Sequence, residues 1–391
     1  MSGGGQMESS QAPIVHRRVH PERRDALLAL PLRIRSYSIR LLCAEVSSGF
    51  MRKTTIFTLQ GPREEGIGED VTYDAIDHER LLAAHLRGDQ RAPQATEQGT
   101  LEAPGSCFAL AGEHTLGSFC AHSETLDLFP TAPEREVSRR YRLWALHSAA
   151  LDLALREASL SLHAALCIEP RPLRFLVSLR LGEPPSIEPL QKRLAGHPTL
   201  TFKLDPTSSW DQELIAQLQA TAAVESLDFK AFYRGTVVDQ PADPDLYRRV
   251  LAAFPSAWIE DPAPERSLAE ILAPHRARCS YDAPIHSVAD IEALPQRPGM
   301  VNIKPSRLGS LTNLLDAYDY CAARGIGNYG GGQFELGPGR GQIQYLASLF
   351  HPDAPNDVAP AGYNLPEPPS ALPDSPLEPQ LEPIGFRWAG D

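Results

Sequence analysis

The chain has 391 residues, 42% of them hydrophobic, enough for a sizeable core and for two to three domains or one large barrel with an appendage. Lys and Arg number 37 against 49 Asp and Glu, a net charge of −12, which argues against a dominant nucleic-acid surface because phosphate binding needs a basic face. No apolar run approaches the ~18 residues that a transmembrane helix needs, so no membrane partner is expected.

Residues 1–30 read as a flexible leader. Met1 to Arg24 holds no apolar segment of signal-peptide length, which predicts a cytoplasmic protein. The six cysteines (Cys43, Cys107, Cys120, Cys167, Cys279 and Cys321) form no CxxC pair and are expected as free thiols. Two strand-like runs follow, Ile34 to Cys43 and Lys53 to Gln60, and are paired as antiparallel neighbours. Glu45 to Arg52 between them reads as a loop serving as a mobile flap. Residues 85–130 carry Gly, Pro and Thr punctuation and are assigned little regular structure. Beyond Glu134 the residues Trp144, Ser148, Leu151, Leu155, Ala158 and Leu162 keep three- and four-residue spacing, so a long amphipathic helix is expected, ended by Pro170 and Pro172.

Short apolar strands then recur at 175–179, 200–204, 224–228, 257–260, 278–282, 300–304 and 326–329. Their starts lie roughly 21–33 residues apart with helical intervals such as 211–223 and 311–323, the pattern of parallel strands joined by helical crossovers. With a short run at 356–359 they make eight strands, which close into a barrel. A doubly wound open sheet is the alternative, but its glycine-rich turn after the first strand is missing.

Barrel chemistry sits at the C-terminal ends of the strands. Those ends, taken in order, carry Lys203, Asp228, Glu260, Asp282 and Lys304. One such charge is ordinarily a solvated loop start, whereas five from consecutive strands are hard to attribute to chance. Adjacent strands put Asp228, Glu260 and Asp282 on one arc of the mouth, where they repel unless a cation neutralises them. A hard divalent ion with oxygen ligands fits, Mg2+ first and Mn2+ as its substitute. Strands 2 and 6 are opposed across the barrel, so Lys203 and Lys304 flank a bound carboxylate from two sides. That arrangement suits removal of an α-proton, with one lysine as base and the other as acid or electrostatic partner.

The segments Trp258-Ile-Glu-Asp-Pro262, Asn302-Ile-Lys-Pro-Ser-Arg-Leu-Gly-Ser310 and Ala149-Ala-Leu-Asp-Leu-Ala154 resemble the enolase superfamily. The Lys304-Pro-Ser and Gly309-Ser310 pattern looks most like the muconate lactonizing enzyme subgroup, nearest to o-succinylbenzoate synthases. The resemblance covers about Arg33 to Ala359. It implies an α/β fold, a modified (β/α)7β TIM-like barrel with an N-terminal α+β capping domain. Accordingly the chain divides into the leader, a capping domain (31–145), the barrel (146–360) and a proline-rich tail (361–391). Gly66-Ile-Gly-Glu69 resembles a capping-domain strand, and Glu45 to Lys53 stands where that family has its substrate-gating loop. By position, Asp228, Glu260 and Asp282 become metal ligands and Lys304 the sixth-strand catalytic lysine, with Asp152 structural. Two departures stand out. The family usually has Lys-x-Lys on strand 2, where this chain has Lys203-Leu-Asp205. The residue two after the first metal ligand is often Asn, and here it is Lys230, a cation able to meet a substrate anion.

The segment Gly330 to Gly341 lacks the Gly-Lys-Ser/Thr of a nucleotide P-loop. Its amides at a helix start suit an anion or a tight structural turn. Glu335 resembles the family's loop carboxylate, and Arg340 and Arg307 are candidates for a distal substrate carboxylate or plain surface arginines. His147, His163 and His286 show no metal spacing and are expected at core edges or the surface; Ser178 and Ser280 lack triad partners. The tail holds seven prolines in 31 residues, yet the resemblance suggests that Ile384 to Trp388 returns to the capping domain. Members of the superfamily often form dimers or octamers, and nothing in this chain decides for or against a homo-oligomer.

The expected activity is a Mg2+-dependent lyase or isomerase that takes an α-proton from a small carboxylate through a metal-stabilised enediolate. The o-succinylbenzoate-like context around Lys304 tilts the reading to dehydration. An amino-acid or dipeptide racemase or epimerase, or a cycloisomerase, shares the first half-reaction. The alternative of another class is a catalytically silent metal-binding scaffold.

Overall fold

The computed structural model describes residues 17–46, 50–88, 94–95, 101–104, 107–236, 238–365 and 367–389. Residues 17–30, expected in a flexible leader, carry helix α1 (Pro21–Leu28). Val19 and Leu27 are buried, and Arg17 donates to the carbonyls of Glu169 at 2.7 Å and Leu349 at 2.9 Å. Strand β1 (Pro31–Ile34) follows, then β2 (Ser36–Val46) and β3 (Phe50–Gln60), antiparallel in register from Ser36↔Gln60 to Val46↔Phe50. The hairpin is thus longer than the sequence suggests, and most of the expected Glu45–Arg52 flap is strand; residues 47–49 lie outside the described residues.

β4 (Glu65–Asp70) is an edge strand of a five-stranded sheet ordered β4-β3-β2-β6-β5, to which β5 (Gln94–Ala95) and β6 (Leu101–Pro104) are added after helix α2 (Ala75–Gly88). β7 (Gly112–Thr115) pairs with β1, and α3 (Leu116–Ser123) starts at a capping box in which Thr115 and Ser118 bond reciprocally. The described residues of 85–130 therefore carry more regular structure than the punctuation implies. An eight-residue helix interrupted by Gly117 is too short for its Leu116, Phe119 and Cys120 spacing to stand out.

The long helix α4 (Ser138–Glu157) lies on β4 and is buried along most of its length. It ends at Ala158 rather than at the prolines, and a short α5 (Leu162–Leu166) follows. Glycines permit the approach. A Cβ at Gly66 would stand 2.1 Å from the Ala149 carbonyl oxygen, and one at Gly68 would stand 2.1 Å from that of Ala145.

Seven parallel strands follow, ordered β14-β13-β12-β11-β10-β9-β8. They are β8 (Val177–Leu179), β9 (Phe202–Leu204), β10 (Val224–Asp228), β11 (Trp258–Glu260), β12 (Cys279–Tyr281), β13 (Met300–Ile303) and β14 (Gly327–Gly330). The helices between them are α6 (Glu188–Gly196), α7 (Gln212–Thr221), α8 (Pro244–Ala253), α9 (Ala269–Leu272), α10 (Val288–Glu292), α11 (Pro305–Leu308) and α12 (Leu311–Arg324), with α13 (Gly339–Phe350) after β14. Side-chain caps start several of them: Asp211 accepts from Leu214 N, Asp243 from Leu246 N and Ser310 from Asn313 N. The expected eighth strand at 356–359 is reduced to two parallel bridges, Phe175↔Asn356 and Gly331↔Asp357. These bridges join the first and last strands: Leu176 N donates to Asn356 O at 2.9 Å and Asp357 N to Gly330 O at 2.8 Å.

The proline-rich tail is tied down. Phe386 and Trp388 are buried, and Gly385 N donates to Leu160 O at 2.7 Å. Asp152 of α4 is the anchor. Its carboxylate accepts from Ile67 N at 3.0 Å, Phe386 N at 2.8 Å and Arg387 Nε at 2.8 Å, linking β4, α4 and the tail. None of the six cysteines forms a disulfide among the described residues, and no helix of those residues is long and apolar enough to cross a membrane.

Candidate active site

The strand ends gather a buried charge cluster at the mouth of the barrel. Lys203 on β9 places its Nζ 2.9 Å from Asp228 Oδ2 and 3.3 Å from Asp357 Oδ2, and donates to Glu260. Lys230 follows β10 with φ 54°. Its ammonium bonds Asp228 and lies 3.7 Å from Asp205, whose other oxygen accepts from Arg180 Nε at 3.0 Å. A second group forms around Asp282. Lys304 Nζ donates to it at 2.9 Å, Arg307 Nη1 at 2.8 Å and Tyr233 OH at 3.2 Å.

The structure thus sorts the expected site residues into two neighbouring sets. Asp228 and Glu260 come together with Lys203 and Lys230, while Asp282 sits with Lys304 and Arg307. The oxygens of Asp228 and Glu260 are joined by Asp261, one ligand atom from each lying within 4.8 Å of the others. This donor set is all carboxylate oxygen and buried, which fits a hard divalent ion better than a soft one. Such an ion would share Asp228 and Glu260 with the Lys203 ammonium. Asp261 also braces the backbone. At φ 45° it accepts from Asp282 N at 2.9 Å and Ala283 N at 3.0 Å, and so fixes the end of β12.

Burial and pairing compete at each group. Burial would raise the Asp228 carboxyl, but Lys203 and Lys230 overcome it and hold Asp228 well below the usual carboxylate range. Burial likewise opposes ionisation of Asp282, and Arg307 and Lys304 win. Glu260 is pushed far up, because burial, with the Asp228, Asp282 and Asp261 charges beside it, outweighs the help of Lys203. Asp261 is pushed up to about 7 by burial and by the Asp228 and Asp282 charges. The two lysines diverge. Burial lowers Lys203, yet Asp228, Glu260 and Asp357 keep it firmly protonated. Lys304 is lowered, by burial first and then by Arg307 and Lys203, against the pull of Asp282.

The glycine-rich segment belongs to a separate layer. Its helix-start amides do meet an anion, and that anion is the protein's own Glu69. The Glu69 carboxylate accepts from Leu336 N at 2.7 Å, Gly337 N at 3.0 Å and Gly339 N at 2.9 Å. Arg52, fully buried on β3, donates to the carbonyls of Val71 and Thr72 at 2.6 Å, Gln333 at 3.0 Å and Phe334 at 3.3 Å. The N-terminal sheet therefore grips this segment on its amide and carbonyl sides alike. Glu335 and Arg340 are spent on each other in a buried ion pair at 2.8 Å. A Cβ at Gly331 would collide with Asn302 and Lys304, and one at Gly332 with Glu335 and Arg340, so glycine backbone runs between that pair and Lys304.

Sequence reasoning does not single out Asp261, Asp357, Tyr233, Glu69 or Arg52 as parts of the site. Asp357 carries a signal, since it lies in the run read as the eighth strand. Tyr233 and Arg52 carry none.

Known structures share this architecture. A dipeptide epimerase from Enterococcus faecalis V583 is 16% identical with a TM-score of 0.60, covering 86% of this chain and 93% of its own. An L-Ala-D/L-Glu epimerase is 16% identical with a TM-score of 0.59, covering 90% and 99%. A member of the enolase superfamily from Listeria innocua Clip11262 is 16% identical with a TM-score of 0.57, covering 86% and 88%. The fold is that of the enolase superfamily, a barrel of parallel strands with an N-terminal antiparallel sheet domain. No curated protein matches the sequence. The chain belongs to the DUF8230 family, a domain of unknown function, whose N-terminal domain matches residues 25–165 and C-terminal domain residues 169–365.

Proposed function

We propose that the protein is an enzyme that removes the α-proton of a small carboxylate substrate at the mouth of the barrel. The observation that carries this reading is the pair of buried lysines, Lys203 and Lys304, arising from β9 and the end of β13 with the carboxylates of Asp228, Glu260 and Asp282 around them. Lys304 acts as the base, its amine eased towards neutrality by burial and by neighbouring cations. Lys203 remains an ammonium, which steadies negative charge on the substrate and can return a proton. Lys230 and Arg307 supply further positive charge for a substrate anion; Glu335 and Arg340, paired with each other, shape the wall behind Gly331 and Gly332. Asp228 and Glu260, joined by Asp261 or Asp282, would hold Mg2+ or Mn2+. A bound divalent ion supplies charge neutralisation for the anion left when the proton departs.

Dehydration of a succinylbenzoate-type acid and racemisation or epimerisation of amino-acid derivatives begin with this same step. Two structural neighbours are epimerases by name, which favours the second as much as the Lys304-Pro-Ser context favours the first. A small-molecule enzyme with six free thiols suits the cytoplasm.

The reading is tested by α-deuterium incorporation in D2O with Mg2+ and pooled succinylbenzoate precursors, N-acylamino acids, dipeptides and sugar acids. Exchange by the wild type that Lys304→Ala abolishes, with circular dichroism unchanged, is the expected result. Equal exchange in wild type, Lys203→Ala and Lys304→Ala overturns it. Mg2+ binding with no exchange of any acid class would leave the silent scaffold.

A further inference from the structure

Directly beneath Lys304 lies a set of polar groups that the proton-transfer scheme does not use. Asn302 precedes Lys304 by two residues on β13, so both side chains point to the same face of the sheet. Their proximity is measurable at Gly331, where a Cβ would stand 2.4 Å from Asn302 Nδ2, 2.8 Å from Oδ1 and 2.5 Å from Lys304 Cε. Tyr329 on β14 is the register partner of Asn302 across the parallel ladder. The charges acting most strongly on its hydroxyl are Glu260, Lys203, Asp282 and Asp261, all of the mouth cluster.

Asn302 is 1% exposed and Tyr329 2% exposed. Among the described residues, both polar atoms of the Asn302 amide and the Tyr329 hydroxyl lack a hydrogen-bond partner. A buried polar group left unpaired keeps its full desolvation penalty and lowers stability. Leu at position 302, with the same number of side-chain heavy atoms, would escape that cost beside Trp258, Met300 and Tyr329, which already form a small apolar cluster. Such groups need an explanation, and places where a polar group stands at a cost in stability are where function is expected.

We infer that Asn302 and Tyr329 form a ligand subsite that holds a hydrogen-bonding group of the small molecule bound at Lys304, deepening the function proposed for that lysine and resting on it. The amide offers donors at Nδ2 and an acceptor at Oδ1, and the phenol is a donor at neutral pH. A bare carboxylate would satisfy the donors and leave Oδ1 unpaired; an ammonium would do the reverse. The matching group both donates and accepts, as a hydroxyl or a secondary amide does. The substrate class is thereby a small acid bearing a hydroxyl or an amide N–H close to the reacting carbon. Gly331 is part of the device, since its backbone packs directly against Asn302 and Lys304 and a Cβ there would collide with both.

Two experiments on the full chain test the subsite. In the first, urea denaturation compares wild type with Asn302→Leu and Tyr329→Phe, with no ligand present. Midpoints equal to or above that of the wild type are expected, because the groups lost have no partner in the fold. A clear drop in both variants overturns the proposal, by showing that the groups serve the fold through bridging water. In the second, thermal unfolding is followed with Mg2+ and either hydroxy acids or N-acylamino acids. Stabilisation of the wild type by one set, reduced at least tenfold in apparent affinity by Asn302→Leu, supports the subsite and tells hydroxyl from amide. No stabilisation by either set, or stabilisation that Asn302→Leu leaves unchanged, overturns it. Deuterium exchange by Lys304 is scored apart from both experiments. The subsite therefore fails without the proton-transfer reading failing, and the proton-transfer reading fails when binding persists without exchange.

Discussion

Acid should unfold this protein earlier than its carboxylates alone would dictate, because two buried histidines cannot take a proton in place. His147 of α4 is fully buried with both ring nitrogens engaged. Nδ1 accepts from Leu311 N at 3.1 Å, and Nε2–H donates at 2.8 Å to Ser123 Oγ, whose own hydroxyl donates to Cys120 O at 2.9 Å. A second proton would have to sit on Nδ1 and break the bond that ties α4 to the start of α12. Burial accordingly pushes the His147 imidazole down to about 3, against about 6.5 in the unfolded chain. The sign follows from linkage. Between those values the unfolded state binds the extra proton, so stability is complete above pH ~6.5 and falls as pH drops towards 3. At about 1.36 kcal/mol per unit, the passage from 6.5 to 5 costs about 2 kcal/mol. His351, pushed down to about 4 by burial, adds a comparable amount.

Urea denaturation at pH 7.5 and pH 5.0 checks this on wild type and His147→Asn. Asparagine keeps an acceptor for Leu311 N–H and cannot be protonated. Its packing defect lowers stability at both pH values and cancels in the difference. The variant should lose about 2 kcal/mol less than wild type between the two pH values. An equal loss in both proteins would refute the reasoning.

Three further outcomes follow from contacts already described. Glu69→Ala leaves three loop amides without an acceptor at a cost of about 2 kcal/mol, so hydrogen exchange at Leu336, Gly337 and Gly339 should quicken by roughly thirtyfold while β10 and β11 stay protected; uniform acceleration would show a global effect instead. Gly66→Ala drives a Cβ to 2.1 Å from the Ala149 carbonyl and should destabilise by about 3 kcal/mol, whereas the exposed Gly196, with nothing within 4 Å of its Cβ position, should tolerate alanine in the same assay. Asp152→Ala removes the shared acceptor of Ile67, Phe386 and Arg387; limited proteolysis should then cut within 378–389 long before the barrel, and cleavage as slow as in the wild type would count against the tail being anchored there.

Much of the barrel was legible because parallel strands buried on both faces are short apolar runs, each ending where the chain meets the mouth. That is why Lys203, Asp228, Glu260, Asp282 and Lys304 could be picked out by position. What their side chains do could not be read this way. Asp261 adjoins Glu260 in sequence, and alternation should send it elsewhere; a left-handed φ turns its carboxylate back towards the end of β12. The different surroundings of Lys203 and Asp205, which alternation puts on one face, also needed three dimensions. Lys203 stands among three carboxylates, whereas Asp205 is taken by Lys230 and Arg180. The anion at the glycine-rich segment comes from Glu69, more than 260 residues away, and contacts of that range leave no local trace. Helix α3 and the two-bridge closure at Asn356–Asp357 are too short for periodicity to reveal them.

The balance of charge at the mouth links the two unusual positions of this chain. Asp205, where the resemblance to the enolase superfamily leads one to expect a second lysine, by itself makes the pocket more anionic; Lys230, where it leads one to expect asparagine, supplies a cation from the neighbouring strand. The two side chains face each other at 3.7 Å, so the Asp205 charge is met by a cation of the neighbouring strand. Six carboxylates (Asp205, Asp228, Glu260, Asp261, Asp282 and Asp357) meet five cations (Arg180, Lys203, Lys230, Lys304 and Arg307). With every group ionised the carboxylates exceed the cations by one; burial pushes Glu260 and Asp261 up while no cation is bound, and a divalent ion that ionises both reverses the excess and so favours a substrate carboxylate. Metal and substrate should therefore bind with positive coupling, each tightening the other by the same factor. Calorimetric titration of Mg2+ with and without the acid found by deuterium exchange measures that factor. Substitution of Lys230 by asparagine, which deepens the negative excess, should strengthen binding of Mg2+ alone and weaken that of the acid; opposite shifts of this kind would not arise if Lys230 only braced the loop after β10.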